Sequence, residues 1–253
     1  MDLGLKGLKA VLAGASKGIG LATAKALAEE GCDVAICARG EKGVENALDE
    51  LSGYGVRAIG EAVDVADSAA YRAWIDRAAE QLGGCDIFIS FASGGGGVAS
   101  EETWKKTFEM DVLGAWRGVD AALPHLKNSS AGSVVAISST AAFEWFLVPQ
   151  AYNAMKAAVI SYAAALAQQL APQGIRVNTV SPGPVFIKDG SWDRVREGNP
   201  DLYNRIMSTI PTGEMATGEE VARVIAFVAS PACRAMVGTN TVVDGGFAKR
   251  VQF

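Results

Sequence analysis

The sequence predicts a single α/β domain, a doubly wound parallel sheet of about seven strands with helices on both faces. Three observations carry this expectation. Short β-rich runs alternate with helical stretches along the whole chain. Most of those runs are continuously apolar rather than alternating, which suits parallel strands covered on both sides. The 253 residues, 49% hydrophobic and 20% charged, suffice for one large core. No internal repeat or linker divides the chain, so residues 1–253 are read as one domain.

Taken in order, the expected strands are Leu8–Ala13, Asp33–Ala38, Val56–Val63, Ile87–Phe91, Ser133–Ser138, Arg176–Val180 and Thr241–Val243. Helical spacing fills the gaps: Ile19–Glu30, Glu41–Leu51, Ser68–Leu82, Glu102–Leu126, Ala151–Ala171 and Gly218–Ala229. The β-α-β rhythm implies right-handed crossovers. One stretch departs from it. Pro182–Thr217 holds glycine, proline and scattered apolar residues without a clear strand. Long excursions in a compact domain are usually functional, so about 184–216 is expected to be a substrate lid.

Charge and composition exclude several classes. A formal net charge of −5 argues against nucleic acid as a partner. The four cysteines, Cys32, Cys37, Cys85 and Cys233, form no C-x-x-C pair and read as buried reduced thiols in a cytoplasmic protein. A single histidine, His125, makes a metal site of the usual His/Cys kind unexpected. The opening "MDLGLKGLKAV" has no long apolar core and does not read as a signal peptide. The Ala-rich segment Ala157–Leu170 is interrupted by Ser161, Tyr162, Gln168 and Gln169, so no membrane crossing is expected.

The chemistry starts at "AGASKGIG", where the first strand runs into a helix. Gly14, Gly18 and Gly20 permit unusual backbone angles and let the main chain approach a pyrophosphate. The free N–H groups of the helix start attract that anion. The second strand ends "VAICARG". An NAD site usually has a carboxylate there for the ribose 2′-hydroxyl. Here Ala38 takes that place, Arg39 follows it, and Lys17 lies in the glycine turn. Two cations and no carboxylate favour a 2′-phosphate, hence NADP(H) over NAD(H). "VDV" closes the third strand, and its Asp64 is a candidate partner for the adenine amino group.

Further on, "AYNAMKAAV" sets Tyr152 and Lys156 four residues apart, on one face of a helix. That spacing alone also fits an ordinary Ala-rich helix. The wider pattern resolves it. "AGASKGIG", Asp64, "SSTAAFEWFLVPQAYNAMK", "IRVNTVSPGPV" and "VVDGG" occur in this order over nearly the whole chain. Together they resemble the short-chain dehydrogenase/reductase family, in its 3-oxoacyl-reductase-like branch, and imply a single Rossmann-type domain. The resemblance makes Tyr152, Lys156 and Ser139, thirteen residues before the tyrosine, the catalytic set. The chemistry fits. A phenol near pKa 10 is a poor base at neutral pH, and the charge of Lys156 favours phenolate. The lysine also holds the nicotinamide ribose, and Ser139 stabilises the substrate oxygen. The cofactor set implied is Gly14, Ser16, Lys17, Gly18, Ile19, Gly20, Arg39, Asp64, Val65, Ala92, Tyr152, Lys156, Pro182, Gly183 and Val185.

Three positions depart from the family. Its N-N-A-G after the fourth strand is replaced by Ser90, Phe91, Ala92 and Ser93, followed by the run Gly94–Gly97. Loss of two amides puts the stability of the central sheet in question. Its asparagine in V-N-x-x-G, which links the lysine to a water relay, is Asp111 in "MDVLG". Asp111 is expected to serve that relay with altered pH dependence. Its carboxamide-binding threonine is Ile187.

The substrate side is rich in aromatic residues. "FEWFLVPQ" supplies Phe143 and Trp145, and the excursion supplies Phe186 and Trp192. Aromatic walls bind apolar bodies, which suggests a hydrophobic ketone or secondary alcohol, cyclic or aryl. Packing against the core or a second subunit is the other use of such residues. The alternatives are a 3-oxoacyl-thioester reductase, for which Lys105, Lys106 and Arg117 are candidate carrier contacts, and a cofactor-binding regulator without turnover. The resemblance also implies a homotetramer or homodimer, with "AKRVQF" as a segment able to reach a neighbour.

Overall fold

The computed structural model describes residues 1–96, 99–145 and 148–251. Gly97 of the glycine run, Phe146 and Leu147 of the aromatic run, and the final Gln252 and Phe253 lie outside the described residues. The chain runs β1 (Lys9–Ala13), α1 (Gly18–Glu29), β2 (Asp33–Ala38), α2 (Glu41–Leu51), β3 (Ala58–Ala62) and α3 (Ser68–Leu82). It continues with β4 (Ile87–Ser90), α4 (Glu101–Thr107), α5 (Gly114–Leu126), β5 (Ser133–Ile137), α6 (Ala151–Leu170) and β6 (Arg176–Pro182). The last part holds β7 (Val185–Phe186), α7 (Ser191–Gly198), α8 (Pro200–Met207), β8 (Ala216–Thr217), α9 (Gly218–Ala229) and β9 (Asn240–Val243).

Seven strands form one parallel sheet in the order β3-β2-β1-β4-β5-β6-β9. Residues alternate between its faces, and both faces are dry. Val11 and Ala13 of β1 join a core with Tyr71, Trp74, Val119 and Ala163 from α3, α5 and α6. Ala10 and Leu12 join another with Leu27, Val44 and Val221 from α1, α2 and α9. Burial on both sides is why the strands read as unbroken apolar runs. Like β9 at the other end, β3 is an edge strand, which explains its partly exposed residues and its length, shorter than the expected Val56–Val63.

β1 pairs with β2 on one side and β4 on the other. The winding therefore reverses between β1 and β4, and a crevice opens outside their carboxyl ends. The glycine turn and the Ser90–Ser93 segment lie there. Two expectations needed correction. The helix expected over Glu102–Leu126 is split by a wide π-type turn at Phe108–Leu113. The excursion does contain strands: β7 and β8 pair in parallel, with α7 and α8 between them. It also has its own small core of Ile206, Ile210, Met215 and Phe247.

Candidate active site

Ser139 follows β5 and opens a short 3-10 turn, Thr140–Ala142, whose Ala141 amide donates to Ser139 Oγ at 3.2 Å. Tyr152 and Lys156 lie in the first two turns of α6. The Lys156 ammonium sits 5.6 Å from the centre of the Tyr152 ring. Lys156 is buried, and its Nζ donates to the Ile137 carbonyl at 2.9 Å. The next residue, Ser138, donates from Oγ to the Lys156 carbonyl at 2.8 Å. The end of β5 and the start of α6 are thus tied at both ends of the lysine.

Asp111 lies in the π-type turn, a distortion often found at functional sites because it re-aims a side chain. Its carboxylate pairs with Lys156 Nζ at 2.8 Å. It also accepts from Ser93 Oγ at 2.8 Å and from the Gly94 amide at 2.7 Å. The loop after β4 is therefore held by Asp111. Ser93 and Asp111 act as a matched pair. Behind them is a cavity of about 20 Å³, lined by Ser90, Ala92, Asp111, Lys156 and Tyr162 among others. That is room for about one water. Burial, with the nearby charge of Asp120, pushes the Tyr162 phenol up to about 12.

The glycine turn fits a dinucleotide. Gly14 has a φ of +74°, and a Cβ there would lie 2.8 Å from the Ala92 amide nitrogen. A Cβ at Gly20 would lie 2.8 Å from Ala15 Cα. α1 starts without a side-chain cap and without an acidic residue in its first turn, so its amides remain available to an anion. Ser16 and Ile19 belong to the same turn, while Lys17 and Arg39 are exposed beside it. Asp64 is exposed, with Oδ1 accepting from the Ala66 amide at 3.0 Å, and Val65 is buried. Pro182 ends β6, the Gly183 amide bonds the Val243 carbonyl at 2.9 Å, and Val185 opens β7. Ile187 packs its Cδ1 against Gly18, so the start of the excursion covers the turn.

The four aromatics expected at the substrate side are placed differently from one another. Trp145 is 71% exposed. Phe143 carries the Arg250 guanidinium on its ring at 3.7 Å. Phe186 and Trp192 pack partly buried on the excursion's own core, and Arg196 lies over Phe186 at 4.9 Å. Sequence reasoning missed Ser93, the Gly94 amide, the Ile137 carbonyl and Arg250. A signal existed for the first, since serine and aspartate replace two family residues together. None existed for a main-chain carbonyl or for a contact across 107 positions. His125 pairs with Asp76 at 2.8 Å, and no cluster able to hold a metal occurs among the described residues. All four cysteines are free and buried. No helix among the described residues is long and apolar enough to cross a membrane.

Comparison with known proteins agrees with this fold. A family model described as Enoyl-(Acyl carrier protein) reductase matches residues 14–248. The isoepoxydon dehydrogenase patN of Penicillium expansum is 36% identical, over 100% of this chain and 99% of that protein. The cis-4-hydroxycyclohexanecarboxylate dehydrogenase of Sinomonas cyclohexanicum is 34% identical, over 94% of this chain and 95% of that one. Among solved structures, the L-sorbose reductase of Gluconobacter frateurii complexed with NADPH and L-sorbose superposes with a TM-score of 0.90 at 29% identity. That match covers 99% of this chain and 100% of that one.

Proposed function

The chain belongs to the short-chain dehydrogenase/reductase family of oxidoreductases, and from that premise we propose that it interconverts a hydrophobic ketone and its secondary alcohol with NADP(H). The observation that carries this reading is the buried Lys156 ammonium beneath the Tyr152 ring, fixed by Asp111 and the Ile137 carbonyl. An ammonium has three N–H donors. Two are engaged here, and the third is free to hold the ribose.

When bound, the nicotinamide supplies or accepts the hydride. The rest is done by this chain. Tyr152 gives its phenolic proton to the carbonyl oxygen as charge develops there, and takes it back in the oxidative direction. The positive charge of Lys156 favours the phenolate left behind. Ser139 donates to the same substrate oxygen and stabilises its developing charge. Ser139 Oγ accepts from Ala141, so its hydroxyl hydrogen stays free for this role. Asp111 anchors the lysine, and the cavity beside it has room for a water able to pass the proton on.

The exposed Lys17 and Arg39 beside the turn support a 2′-phosphate, and the L-sorbose reductase that resembles this chain was solved with NADPH. The turn residues Gly14, Ser16, Gly18, Ile19 and Gly20 would hold the pyrophosphate. Asp64 and Val65 would hold the adenine, and Ala92, Pro182, Gly183 and Val185 the nicotinamide end. The substrate lies between the Phe143–Trp145 loop and the lid bearing Phe186 and Trp192. A relative named for a hydroxycyclohexanecarboxylate supports a cyclic substrate. Streptomyces relatives named as ketoacyl reductases, 32% identical to this chain, keep a second reading open, reduction of a 3-oxoacyl thioester.

We place the chain in the cytoplasm as a homotetramer or homodimer. Trp104 on α4, Phe108 in the π-type turn and Trp116 on α5, each about 40% exposed, favour assembly through this stretch. The experiment follows NADPH and NADH absorbance against cyclic, aryl and β-keto carbonyls. NADPH-dependent reduction of a cyclic or aryl ketone is expected. Turnover of the 3-oxoacyl thioester alone would favour the second reading, and a clear NADH preference would overturn the cofactor assignment.

A further inference from the structure

We propose that Lys249 and Arg250 are positioning residues that fasten the loop after Ser139 to the lid. This rests on the reading of the cleft between them as the substrate site. The segment after β9 is first shaped by Asp244, whose Oδ1 accepts the Gly246 amide at 2.9 Å and whose Oδ2 accepts the Ala248 amide at 2.8 Å. It is then bound to the lid. Phe247 is a member of the lid's own core, and the Thr212 amide donates to the Gly245 carbonyl at 3.3 Å.

The next two residues reach both walls. The Lys249 amide donates to Glu144 Oε2 at 3.1 Å, and its Nζ donates to the Thr209 carbonyl at 3.0 Å. The Arg250 guanidinium lies on the Phe143 ring at 3.7 Å, within the range of a cation–π contact. Phe143 and Glu144 are joined to Ser139 by one tight turn, in which both their amides bond the Thr140 carbonyl at 3.1 and 2.9 Å. A shift of either residue is thus passed to the serine through a single 3-10 turn. One short segment therefore sets the distance between the Ser139 loop and the end of the lid. Both clasp side chains are exposed, so removing them leaves the three hydrophobic clusters whole.

The test uses the full chain with NADPH and acetophenone as the probe ketone. Hydrogen–deuterium exchange is read without ketone, over peptides covering 140–145 and 208–214. Arg250→Ala and Lys249→Ala should each speed exchange in both peptides by about threefold or more, since local opening becomes easier. Phe143→Leu combined with Arg250→Ala should add nothing to Arg250→Ala, because the two share one contact. For acetophenone, KM should rise about fivefold while kcat changes less than twofold, with Arg250→Lys recovering most of the loss. Unchanged exchange in either peptide overturns the clasp. A wild-type chain that leaves acetophenone and the other ketones unreduced would sink the functional reading, while the exchange data would still decide the clasp.

Discussion

Asp111 and Lys156 meet at 2.8 Å with side chains only 0% and 6% exposed. A buried ion pair stabilises only when its remaining donors and acceptors are also satisfied. This one comes within one N–H of that condition: the carboxylate has Ser93 and Gly94, the ammonium has Ile137, and its third N–H is the one left for the ribose. The pair also joins three parts of the site, namely the loop after β4, the π-type turn and α6. The aspartate thus does more than copy the asparagine found in the family.

Asp111→Ala should destabilise the fold by about 3–5 kcal/mol, because it leaves a buried cation without its partner. Urea unfolding measures this. kcat/KM should fall about a hundredfold, as the lysine loses its anchor. Asp111→Asn keeps the shape and removes the charge. Its pH–rate profile should move to lower pH, since a carboxylate that opposes phenolate is gone. Superimposable profiles would remove Asp111 from the proton chemistry.

Much of this was legible in the sequence, and the misses have physical causes. Most of the strands were readable because their residues are apolar on both faces, as Ala10 to Ala13 illustrate. β3 was overextended because an edge strand loses one neighbour, and its ends do not show that loss in composition. The break at Phe108–Leu113 was hidden because helix and π-turn residues share the same propensities. Tyr152, Lys156 and Ser139 were singled out through the resemblance to the family, since their spacing alone also fits an ordinary helix. Ser93, at the place of the family's glycine, was given no role, since its value depends on a partner eighteen positions away. For the aromatics of the excursion, substrate wall and packing stood side by side, because sequence alone does not show that the excursion has a core of its own.

Arg176 offers a test of the fold. Its buried guanidinium donates to the carbonyls of Val228, Ala229 and Ser230 at the end of α9, at 2.9, 2.7 and 3.0 Å. A cation is favoured at a helix C-terminus, although burial lowers this arginine's affinity for its proton. Arg176→Met should cost about 3 kcal/mol or more, because several buried carbonyls lose their donor. Chemical denaturation checks it. A cost below about 1 kcal/mol, the size of one ordinary hydrogen bond, would contradict the capping role.

The thiols give a pH dependence. Burial pushes Cys32 and Cys37 up to about 12, and Cys85 higher still. An unfolded thiol ionises near its ordinary value of 9.0. Below that pH both states hold the proton, and the thiols do not bias folding. Above it the unfolded state loses protons first, so stability should fall as pH rises from about 9 toward 12. Denaturation midpoints at pH 8 and pH 10 measure the trend. At neutral pH these native thiols should resist an aromatic disulfide reagent and react only after unfolding. Rapid native labelling of Cys32 or Cys37 would contradict their burial.

The cofactor assignment is tested at Arg39. Arg39→Ala should raise the KM for NADPH about tenfold, through loss of a charge-assisted contact to phosphate, and leave the KM for NADH nearly unchanged. Lys17→Ala should act in the same direction. Equal effects on both cofactors would show that neither cation reads the 2′ position.

The central claim is that Tyr152, backed by Lys156, moves the proton. The direct measurement compares wild type and Tyr152→Phe for ketone-dependent NADPH oxidation, with NADPH binding followed separately by fluorescence. The account predicts a fall in kcat of about a thousandfold, within the range for loss of a general acid, and cofactor binding within about twofold of wild type. A Tyr152→Phe chain that keeps most of its turnover would contradict it.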